Sequence, residues 1–131
     1  METATTLVLV RHGKTHWNEK GLLQGHLDVD GCQLTDRGKE EARLLGISFS
    51  NRKFDAVVSS DLGRALTTAR LCLATMKSHS EGNGSAHALR DESSPGKTTG
   101  NIDSLILREP RLRERFLGSL QGKPYSARTG S

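Results

Sequence analysis

Residues 6–10, Thr-Leu-Val-Leu-Val, form an unbroken apolar, β-branched run that stops abruptly at Arg11-His12-Gly13. A run with no polar alternation predicts a strand buried on both faces of a parallel sheet, and a parallel sheet needs helical crossovers to cover it. The next stretches supply them. Leu34-Thr35-Asp36 opens a helix with Gly38, Ala42, Leu45 and Phe49 on one face and charges such as Lys39, Glu40 and Arg43 elsewhere. Phe54-Asp55-Ala56-Val57-Val58 reads as a second buried strand. Ser59-Ser60-Asp61 then offers N-cap chemistry for a second helix with Leu62, Ala65, Ala69, Leu73 and Met76 on one face. Leu105-Ile106-Leu107 predicts a short third strand before Pro110. The alternation of strand and helix argues for an α/β fold.

The chain has 131 residues, 34% of them hydrophobic, which predicts one lean globular domain spanning 1–131. Residues 78–104 turn to Ser, Gly, Asn, Thr and single charges, and predict a disordered insertion. No stretch approaches the roughly 18 consecutive apolar residues of a membrane span, and residues 1–6 carry no basic leader, so the expectation is a cytoplasmic protein without membrane contact. Cys32 and Cys72 lack redox or zinc spacing and read as free thiols, with no metal site and no cofactor implied.

The net charge of +4 is unevenly spread. Residues 1–104 hold 13 Lys and Arg against 13 Asp and Glu, whereas residues 105–131 hold 6 against 2. With only five Phe, Trp and Tyr there is little to stack bases on, so a local site for a small anion is favoured over nucleic acid. Oligomeric state cannot be read from such features.

Arg11-His12-Gly13 follows a predicted strand directly, where open α/β sheets bind ligands. The motif continues through Lys14-Thr15-His16-Trp17-Asn18, Gln24-Gly25-His26-Leu27-Asp28 and Leu34-Thr35-Asp36-Arg37-Gly38. Two later blocks follow in order: Ser59-Ser60-Asp61-Leu62-x-Arg64-Ala65-x-x-Thr68-Ala69, and Leu112-Arg113-Glu114-Arg115-x-x-Gly118-x-Leu120-Gln121-Gly122. Together these resemble the histidine phosphatase superfamily, of the phosphoglycerate mutase-like kind, over nearly all of the chain outside 78–104. The resemblance implies a parallel-sheet sandwich truncated at its carboxyl-terminal side. It also implies a metal-independent phosphomonoester hydrolase acting on a small phosphorylated metabolite, the alternatives being a phosphoglycerate mutase or a truncated, non-catalytic phospho-ligand binder.

On this resemblance His12 is the nucleophile, a neutral imidazole that forms a phosphohistidine and divides the reaction into two easier steps. Arg11 and Arg64 would disperse charge on the phosphoryl oxygens through bidentate guanidinium contacts, with the helix N-terminus at Arg64 adding a favourable field for the anion. Glu114 is the acid and base. Asn18, Gln24, Gly25 and Arg115 match positions that hold phosphate or substrate. Singly, Arg64 would read as a solvated helix charge and Glu114 as a local ion pair worth about 0 to 1 kcal/mol. Their joint occurrence in family order argues otherwise. His16 reads as structural, His26 is intermediate between contact and packing, Trp17 fits packing or contact, and His79 and His87 read as solvated.

Several features depart from the pattern. Lys14 stands where Glu or Gln is usual, Phe116 where His or Tyr is usual, and residues 29–33 form a longer, more polar connection. The resemblance implies a second catalytic His well after the acid, and no His follows His87.

Overall fold

The computed structural model describes residues 4–84 and 102–128. Helix α1 (His16–Lys20) begins with a reciprocal cap: the Thr15 hydroxyl accepts from Asn18 N, and Asn18 Oδ1 accepts from Thr15 N. Gly21, at φ 70°, ends it in the left-handed conformation that glycine tolerates best. Helix α2 (Asp36–Ser48) starts where the sequence predicts, and Thr35 caps it, its Oγ1 accepting from Gly38 N at 3.0 Å. Strand β1 (Val57–Ser59) leads into α3 (Gly63–Gly84), and β2 (Ile106–Arg108) pairs parallel with β1 in the register Val57 to Ile106. Glu109 N donates to Ser59 O at 2.8 Å and extends that ladder by one bond.

Helices α2 and α3 pack closely because Gly46 faces α3. A Cβ there would fall 2.5 Å from Cys72 O and 2.8 Å from Thr75 Cβ. Leu23, Cys32, Leu34, Ala42, Leu62, Leu66, Cys72 and Ile106 form the buried apolar set. Each fully buried leucine or isoleucine contributes about 1.5 to 3 kcal/mol relative to exposure.

Two expectations are corrected. Residues 6–10 run without strand pairing, and Leu7 and Leu9 are 77% and 84% exposed. A strand buried on both faces needs neighbours on both edges, and among the described residues the two strands pair only with each other. The buried face of α3 is also turned from the one predicted: Leu62, Arg64, Leu66, Thr68 and Cys72 are buried, while Ala65, Ala69, Leu73 and Met76 are only partly covered. Burial here follows internal pairing of Arg64 and Thr68, which hydrophobic periodicity does not register. Within the bounds of the expected insertion, α3 continues to Gly84 and residues 102–105 form a helical turn before β2. Extending an existing helix is far cheaper than starting one, which lets weak helix formers join its end. The rest of that expectation, residues 85–101, lies outside the described residues.

Candidate active site

Arg11-His12-Gly13 is fixed to α3 from behind. Gly13 N donates to Thr68 Oγ1 at 2.9 Å, and the Thr68 hydroxyl donates to Arg64 O at 2.7 Å. No side chain would fit at Gly13, because a Cβ would lie 2.4 Å from Gly38 O. Lys14 is held by its backbone, N to Glu41 Oε1 at 3.0 Å and O accepting from Thr35 N at 2.9 Å. The end of the apolar run is thereby tied to both long helices.

His12 Nδ1 lies 2.7 Å from the Gly13 carbonyl oxygen. A carbonyl only accepts, so Nδ1 carries the proton and Nε2 keeps its lone pair. Burial pushes the imidazole pKa below its ordinary value, the positive charges of Arg64 and Arg11 push the same way, and the Gly13 carbonyl and Glu114 oppose them. The group is thus biased toward the neutral, nucleophilic form.

Arg64 is 1% exposed and fully engaged with its surroundings. It donates through Nη1 to Leu27 O at 2.8 Å and through Nη2 to Gly25 O at 2.6 Å and Glu114 Oε2 at 3.1 Å. Gly25 can present its carbonyl this way because it adopts φ 55°, a conformation costly for other residues. Gln121 packs against it and uses Oε1 to accept from His26 N at 2.8 Å. Arg11, Glu114 and Arg115, with Leu23, Leu117 and Tyr125, line one cleft of about 360 Å³.

His12, Arg11, Arg64 and Glu114 are therefore brought near one another, each at or beyond the carboxyl end of an extended segment; Arg11 and Glu114 line the cleft with Arg115, whereas His12 and Arg64 do not. Asn18, Gln24 and Gly25 do not line the cleft, although the Gly25 carbonyl accepts from Arg64. Asn18 is occupied by the α1 cap and a 3.4 Å contact to the Tyr125 hydroxyl, and buried Gln24 accepts from the Thr15 hydroxyl at 2.5 Å. His16 is exposed, and the His26 ring meets Phe116 at 5.3 Å. Trp17 packs over Gly31 and Gly122. His87 lies outside the described residues.

The expected anion field at the start of α3 is already taken. Both Asp28 carboxylate oxygens accept from Gly63 N at 3.1 Å, and the Ser60 hydroxyl accepts from Leu62 N at 3.2 Å. The dipole of α3 thus stabilises Asp28 directly. Sequence reasoning missed Asp28, Thr15, Thr68 and Gln121 as supports, although all four stand inside the motif blocks. It also missed Tyr125 as a cleft residue, for which no local signal exists. Among the described residues no group of three His, Cys, Asp or Glu could hold a metal ion. Both cysteines are free and buried, and no described helix is long and apolar enough to cross a membrane.

A half-buried histidine with a fixed tautomer thus lies near two guanidinium groups and a carboxylate. The model of the histidine phosphatase superfamily, branch 1, matches residues 7–83, and the chain belongs to that superfamily. It is 35% identical over 120 residues to phosphoglycerate mutase-like protein 4 of Arabidopsis thaliana, covering 91% of this chain and 40% of that protein. To 2,3-bisphosphoglycerate-dependent phosphoglycerate mutase 1 of the same plant it is 36% identical over 124 residues, covering 88% of this chain and 35% of that one. A solved mycobacterial glucosyl-3-phosphoglycerate phosphatase in complex with VO3 matches with a TM-score of 0.59 at 27% identity, covering 88% of this chain and 41% of that one. The fold is the phosphoglycerate mutase-like α/β sandwich in part, and the chain spans about 35% to 40% of the length of the two plant relatives. The superfamily is enzymatic and includes both phosphatases and phosphoglycerate mutases.

Proposed function

We propose that this chain carries the phosphoryl-accepting part of a phosphomonoesterase site, with His12 as nucleophile. The observation that carries the reading is that Arg64, Arg11 and Glu114 all act electrostatically on one half-buried imidazole whose Nδ1 is already committed to a carbonyl. In the first step His12 Nε2 attacks phosphorus, the N–P bond forms and the ester P–O bond breaks. The leaving oxygen takes a proton from the Glu114 carboxyl group. In the second step Glu114 removes a proton from water, whose oxygen attacks phosphorus. The N–P bond breaks and inorganic phosphate leaves. Arg11 and Arg64 hold the equatorial oxygens, where charge builds up in the transition state. Arg64 must release Glu114 to do so, which frees the carboxyl group for the leaving oxygen in the same movement.

Hydrolysis is preferred to mutase chemistry because Ser59-Ser60-Asp61-Leu62 and Gln24-Gly25-His26-Leu27-Asp28 are nearer in type to the small phosphatases. The substrate is a small phosphorylated metabolite. A second reading, a phosphate binder without turnover, draws support from Arg64 being held by three acceptors. Stopped-flow release of dinitrophenolate from 2,4-dinitrophenyl phosphate separates the two. A burst of one equivalent per chain, lost in His12→Ala, supports the nucleophile; phosphate binding without any burst supports the binder.

A further inference from the structure

Asp61 and Arg113 take no part in the chemistry above, yet they fasten the segment that carries the acid. Arg113 donates through Nε and Nη2 to the two oxygens of Asp61, each at 2.6 Å, the fork geometry that a guanidinium and a carboxylate favour. Neither residue lines the cleft. Asp61 precedes Arg64 by three residues and Arg113 precedes Glu114 by one. Two ion pairs therefore join the start of α3 to the same loop as neighbouring rungs.

The rungs have different duties. On the reading of Arg64 as phosphate clamp and Glu114 as acid, the Arg64–Glu114 contact has to open for substrate, since each partner has a separate oxygen to serve. Upstream, the loop is secured by Glu109 N to Ser59 O at 2.8 Å and by the turn Pro110–Leu112, which Glu109 caps. Residues 114–117 have no regular structure, and Leu117 N reaches Gln121 Oε1 only at 3.4 Å. The Asp61–Arg113 pair is thus the tie immediately before Glu114 on the well-secured side.

We propose that the Asp61–Arg113 fork is a positioning device that keeps Glu114 at the leaving-group oxygen after Arg64 has turned to the phosphate. The proposal rests on the reading of His12 as nucleophile and Glu114 as acid. A lysine at 113 would keep the attraction but not the two-point fork, so the loop could pivot about a single contact.

The test compares bursts from two esters on the 131-residue chain. Phenyl phosphate needs a proton on its leaving oxygen, whereas 2,4-dinitrophenyl phosphate does not. Asp61→Asn and Arg113→Lys should slow the phenyl phosphate burst about 10-fold or more, a share of the roughly 10² to 10⁴ that a positioned general acid supplies, and leave the dinitrophenyl ester unchanged. The exchanged pair Asp61→Arg with Arg113→Asp should restore phenyl phosphate. Equal slowing of both esters would make the fork merely structural and overturn the proposal, as would no slowing of either. A normal chain giving no burst with either ester would remove His12 as nucleophile, and the proposal with it.

Discussion

Replacing Arg64 with Met removes three hydrogen bonds from a side chain that is 1% exposed, two of them to the carbonyl oxygens of Gly25 and Leu27. The third goes to Glu114, whose side chain is 42% exposed and can recover water. Bonds to a charged group contribute about 1.5 to 3 kcal/mol each, and breaking a buried pair typically costs about 3 to 5 kcal/mol. Met replaces much of the lost packing, so the expected loss is about 3 kcal/mol. Glu114→Gln removes only a partly solvated partner and should cost about 0 to 1 kcal/mol. The inequality follows from the carbonyls, because they and not Glu114 are what Arg64 mainly holds. Urea unfolding followed by fluorescence of the single tryptophan, Trp17, which packs over Gly31 and Gly122, measures both variants. If Arg64→Met fell within about 0.5 kcal/mol of the parent, the usual range for a surface substitution, or if Glu114→Gln cost as much as Arg64→Met, the role assigned to the buried guanidinium would be wrong.

The His12 imidazole should titrate below its ordinary value of 6.5 when followed by NMR, because burial, Arg64 and Arg11 all disfavour its charged form. The unfolded chain then binds the proton first as pH falls, so this group's contribution to stability is complete above 6.5 and is lost below it, toward the folded value. Glu114→Gln should lower that value further; a rise would contradict the assignment. Gly25→Ala should cost about 2 kcal/mol by urea unfolding, combining a left-handed backbone with displacement of the Gln121 amide from His26 N, and no cost would mean that the turn relaxes freely. Residues 1–131 by themselves should give a burst but slow turnover. A chain extended by the second half of a relative containing another catalytic His should exceed it by about 10² to 10³, the usual effect of one transition-state donor. Equal turnover would show that the second His is dispensable.

The start of α2 was readable because Thr35, Asp36 and Gly38 act within one turn. Strand β1 was readable with a shift toward Ser59, though not as a buried strand, since Val58 is 49% exposed, and β2 was readable with a shift of one residue. Residues 6–10 were misread because a local apolar run reports the burial a strand would have among neighbours, and the described strands provide none beside it. The burial of Arg64 escaped for a related reason: its partners are backbone carbonyls 37 and 39 residues away, set by a positive-φ glycine rather than by any pattern in α3. The Asp28 cap on Gly63 spans 35 residues and was equally invisible. His12, Arg11 and Glu114 could be picked out only through the order of several motif blocks, since each alone fits an ordinary structural role.

The most direct test of the account is to find where the phosphoryl group goes. The chain is mixed with 2,4-dinitrophenyl phosphate, quenched in base, digested and mapped by mass spectrometry. The account predicts an acid-labile, base-stable phosphate on the peptide carrying His12, absent from His12→Ala. A phosphate on any other residue, or its persistence in the variant, would contradict it.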